Sequence, residues 1–184
     1  MNNMVFDLKN GLYEEIKCFE PLKSFNANKM REIEENKIIV KGWNISNENS
    51  KLPLFFCDII KQEVKMIKDT CIDFDVMSNK NIIIFNKNNI EIFDYKNFEI
   101  ISKIKLPSDI DLMSACLYND KTLLIGCKNE ELIEFEMENN ELFELDRHKL
   151  KCHLNHYVCD VIRLKNDLIV AIGDTEVYIF EPIK

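Results

Sequence analysis

Three stretches of this chain share one order of parts. Each has an apolar run, a polar turn, and an alternating run that ends in phenylalanine and an acid. They lie at residues 81–85 with 90–94, 121–126 with 132–136, and 168–172 with 177–181. Their phenylalanines, Phe93, Phe135 and Phe180, stand 42 and 45 residues apart. Self-similarity at such a period means that one small unit is built several times over.

The first part of each unit reads as a strand covered on both faces. Leu168-Ile-Val-Ala-Ile172 is continuously apolar and rich in β-branched residues, with no polar side chain to face water. Gly173-Asp174 supplies a turn, because glycine tolerates positive φ and aspartate bonds its own backbone. Val177-Tyr-Ile-Phe180 is then the return strand. Lys128-Asn129 and Lys87-Asn88-Asn89 are the corresponding turns upstream.

The repeat extends to the N-terminus. Val5-Phe6-Asp7 matches Ile92-Phe93-Asp94 at a distance of 87 residues, two units. The intermediate copy is Phe55-Phe56-Cys57-Asp58, displaced by a longer loop at residues 43–52, WNISNENSKL. Each unit also carries a run before the apolar strand (71–76, 112–117, 158–164) and one after the acid (63–67, 98–104, 142–145). Four short strands in about 40 to 45 residues are the period of a β-propeller blade. The expected fold is therefore all-β and propeller-like, with about four four-stranded antiparallel blades in one domain over residues 1–184. The unit bounds are 1–19, 20–68, 69–106, 107–150 and 151–184. Residues 26–35 are the one stretch read as a helical turn or two.

The last unit resembles the WD40/YVTN type of propeller repeat. Asp174, Val177, Ile179, Phe180 and Glu181 occupy the positions of that family's turn aspartate, β-branched, aliphatic, tryptophan and aspartate residues. His156 is similar to the family's Gly-His histidine after a one-residue shift. The resemblance implies that His156 and Asp174 brace the blade through hydrogen bonds, and that the protein is an interaction scaffold. No unit has tryptophan before its acid, and Trp43, the chain's single tryptophan, lies elsewhere. A seven-bladed ring needs about 300 residues, whereas this chain has 184. Either residues 12–17 supply the outer strand that the last unit lacks, or the arc is partial. A partial arc favours self-association or completion by another chain.

Composition narrows the function classes. A net charge of −8 argues against sequence-independent nucleic-acid binding and against adsorption to an anionic membrane. No apolar run is long enough to span a bilayer, and residues 1–17 lack the pattern of a signal peptide. Seven cysteines, mostly within apolar runs, point to reduced thiols in a cytoplasmic protein.

No phosphate loop, nucleophile elbow or calcium loop is present, so no catalytic residue and no cofactor is assigned. His148, Cys152, His153, His156 and Cys159 form the one local group of soft donors, at spacings that match no zinc pattern. They carry an alternative reading, a metal-binding or thiol-dependent activity at Cys152, His156 and Cys159. Asp73 and Asp75 share one face of a strand and read as solvated charges. Glu134, Glu136 and Glu138 alternate with Ile133, Phe135 and Met137, which sets three carboxylates on one face. That face suits a basic protein partner, or else is the charged outer strand that prevents edge-to-edge pairing. The leading expectation is a non-enzymatic protein–protein interaction scaffold. The alternative is a structural subunit of a larger assembly.

Overall fold

In a computed structural model, the described residues are 4–9, 12–18, 25–44, 52–150, 158, 160–164, 167–173 and 176–180. Every regular element among them is a β-strand, so no helix there is long and apolar enough to cross a membrane. The chain divides into two compact units, Met1–Cys71 and Ile72–Lys184.

The first unit begins with an antiparallel hairpin of β1 (Met4–Lys9) and β2 (Leu12–Cys18). The strand expected to complete the last blade is thus paired with β1 among the described residues. A four-stranded meander follows: β3 (Phe25–Glu34), β4 (Lys37–Asn44), β5 (Leu54–Asp58) and β6 (Glu63–Lys68). The helical reading of residues 26–35 is corrected by β3. Lys, Met, Arg and Glu favour a helix locally, but Phe25 and Ile33 are both buried and an even number of residues apart. The register shifts between Ala27 and Lys29 and again at Ile33, so spacing alone does not set their face, and pairing with Ile38–Val40 overrides the local preference. Phe25 meets Phe55 edge to face at 5.2 Å over Val40 and Cys57. Asn36 turns the β3–β4 hairpin at φ 61°, a conformation that asparagine tolerates. Gly42 lies beside the bulge at Ala27, where a Cβ would stand 2.1 Å from the Asn26 carbonyl oxygen.

The second unit holds three sheets in succession. The first is β7 (Asp73–Val76), β8 (Ile82–Phe85), β9 (Asn89–Asp94) and β10 (Glu99–Lys105). The second is β11 (Leu112–Leu117), β12 (Thr122–Cys127), β13 (Glu131–Glu138) and β14 (Glu141–Lys149). The third is β15 (Asp160–Arg163), β16 (Ile169–Ile172) and β17 (Val177–Phe180). Each sheet is an antiparallel meander in chain order, and β11 packs between β7 and β15. The fold is all-β and propeller-like, with each sheet as a blade.

Period-two alternation explains why the middle blade is apolar throughout its second strand. Ala115, Leu117, Leu123, Ile125, Ile133 and Phe135 join one core with Ile83, Phe85, Ile90 and Ile104 of the preceding blade. Cys116, Leu124 and Leu132 join another with Val158, Val161, Ile169 and Ala171 of the following one. Odd-numbered side chains thus point one way and even-numbered side chains the other, so β12 has no position left for water. β16 departs from the reading of a strand buried on both faces. Ile169 and Ala171 are buried while Val170 and Ile172 are half-buried, because this blade packs against one described neighbour.

Side chains also reach forward by one repeat. Asp73 Oδ2 accepts the Ala115 N–H at 3.0 Å, and Asp75 Oδ2 accepts that of Leu117 at 3.1 Å. Asp120 accepts both the N–H and the hydroxyl of Ser78. Ser114 Oγ donates to the Val158 carbonyl at 3.3 Å. The reading of Asp73 and Asp75 as solvated charges is therefore corrected. Asp73 is buried and Asp75 half-buried, because both stand on the strand that meets β11.

The acid that closes each alternating run has a local role in two blades. Asp94 accepts the N–H groups of Lys96 and Asn97, and Asp58 that of Lys61, so each ties down the turn that follows. In the middle blade, Glu136 lies within a longer strand that turns at Asn139 and Asn140, both at positive φ.

Gly126 permits the approach of the third blade. A Cβ there would lie 2.6 Å from Val158 Cγ1 and 2.7 Å from Ser114 Oγ. Val158 is buried and β-branched, so it has little freedom to withdraw. Gly126→Ala is expected to cost about 1–3 kcal/mol, read as a lower urea midpoint at unchanged slope. An unchanged midpoint would mean that the seam yields.

Candidate functional site

The acidic residues of β13 come together on one face, as their alternation requires. Antiparallel pairing aligns Glu134 with Asp146, Glu136 with Phe143, and Glu138 with Glu141. Directly opposed residues share a face. The face therefore carries five carboxyl groups, from Glu134, Glu136, Glu138, Glu141 and Asp146, around the partly exposed ring of Phe143. Two of its three rungs set acid opposite acid, an arrangement that costs stability. Glu134 and Glu136 are half-buried and Glu138 is exposed. On this face His148 Nε2 lies 2.9 Å from Asp146 Oδ2.

The other face of the same hairpin is compensated. Arg147 reaches Glu131 at 2.8 Å, Glu144 at 2.7 Å and Asp109 at 3.0 Å. Hydrogen bonds from this guanidinium hold the Glu144 and Asp109 carboxyls below their ordinary range, and Arg147 itself is held above its own. Among the described residues, the ion pairs of the hairpin with a full-time cation thus lie on the Arg147 side.

β13 is the third strand of its sheet, flanked by β12 and β14. This corrects the reading of Glu134, Glu136 and Glu138 as charges on an outer strand, since the outer position belongs to β14. Protection against edge-to-edge pairing is therefore not their role. Asp146, Glu141 and Phe143 were not singled out in the sequence. They join the site through a register that shifts at the bulge between Glu134 and Phe135.

His156 and Asp174, the blade-bracing pair implied by the WD40-like resemblance, lie outside the described residues. So do Cys152, His153 and Cys159. His148 of that group is on β14, with its ring 6.0 Å from that of Phe180. Among the described residues, no group of three or more His, Cys, Asp or Glu side chains is arranged to hold a metal ion. Cys57, Cys71, Cys116 and Cys127 are buried. Burial pushes the thiols of Cys57 and Cys127 up to about 12, which leaves them unreactive.

No family model matches this chain, and a search of curated proteins gives no match either.

Proposed function

We propose that the protein is a non-enzymatic, WD40-like interaction module that presents the Glu134, Glu136 and Glu138 face to a basic segment of a partner protein. The observation that carries this reading is the concentration of carboxyl groups around Phe143. Such a face costs the fold stability in isolation, and a lysine- or arginine-rich segment relieves that cost. Phe143 adds an apolar or cation–π contact at the centre. A cytoplasmic setting agrees with the four buried cysteines.

The test is a labelled Lys- and Arg-rich peptide titrated with the chain and with a Glu134→Lys/Glu136→Lys/Glu138→Lys variant. The variant is expected to bind at least about tenfold more weakly, with a shallower dependence on salt. The substitutions also relieve the Glu138–Glu141 and Glu134–Asp146 oppositions, so the variant should keep its far-ultraviolet circular dichroism. Equal affinity of the two proteins would sink the proposal.

A further inference from the structure

We draw no further inference here: the strongest candidate, the exposed apolar patch of Phe98, Ile100 and Ile101 at the start of the outer strand β10, carries nothing, because nothing in the structure shows what covers it.

Discussion

Replacing Asp73 by alanine is expected to lower stability by about 3 kcal/mol. The carboxyl group is 3% exposed and accepts two backbone N–H groups, from Phe74 at 2.8 Å and from Ala115 at 3.0 Å. Truncation leaves both donors without that acceptor. Ala115 is itself buried, and its amide sits where β11 meets β7. A buried donor left unsatisfied costs about 1–3 kcal/mol. Asp75→Ala should cost less, because Asp75 is half-buried. Asp120→Ala, at an exposed turn, should cost least of the three, although it also bridges to the neighbouring blade through Ser78. Urea denaturation of the three variants orders them. Equal midpoints for Asp73→Ala and Asp120→Ala would mean that burial of the bridge is immaterial.

Phe135→Ala should have a larger effect still, a loss of about 4 kcal/mol. Phe135 is buried among Ile104, Leu117, Leu123 and Phe85, side chains from two blades. Removing the ring leaves a void that neither blade can close alone, because each is held by its own hydrogen-bonded strands. Phe180→Ala at the matching rung should cost roughly half as much, since Phe180 is half-buried against one core. Guanidinium denaturation of both variants gives the comparison. Similar losses would contradict a difference that comes from having two packed neighbours.

The fold was legible where one cause governed many residues. The spacing of Phe93, Phe135 and Phe180 reports blade length. The unbroken apolar run at β12 reports a strand with a neighbour on each face. Residues 26–35 misled because their local preference is helical and the reason for a strand, pairing with β4, lies further along the chain. Asp73 misled for a similar reason. An aspartate on a strand looks the same in sequence whether it faces water or an amide 42 residues away. The signal that could have revealed it is positional: the same rung carries Asp73, Ser114 and Asp160, each with a side-chain oxygen. Of the acidic face, alternation revealed Glu134, Glu136 and Glu138. The contribution of β14 depends on a bulge that no composition rule places.

The forward-reaching bridges differ from seam to seam, and the difference has polarity. At the first seam a carboxyl oxygen of Asp73 receives an amide proton. At the second, the Ser114 hydroxyl gives its proton to a carbonyl. A blade docked one place out of turn would set the Asp73 oxygen against the Val158 carbonyl oxygen, acceptor against acceptor, in a dry contact where that mismatch is costly. Repeated blades invite such misassembly, because their outlines are alike. Divergence among the units therefore acts as an address. It tells each blade which neighbour is its own, and it gives a physical reason why the repeat is clear in spacing yet faint in residue identity.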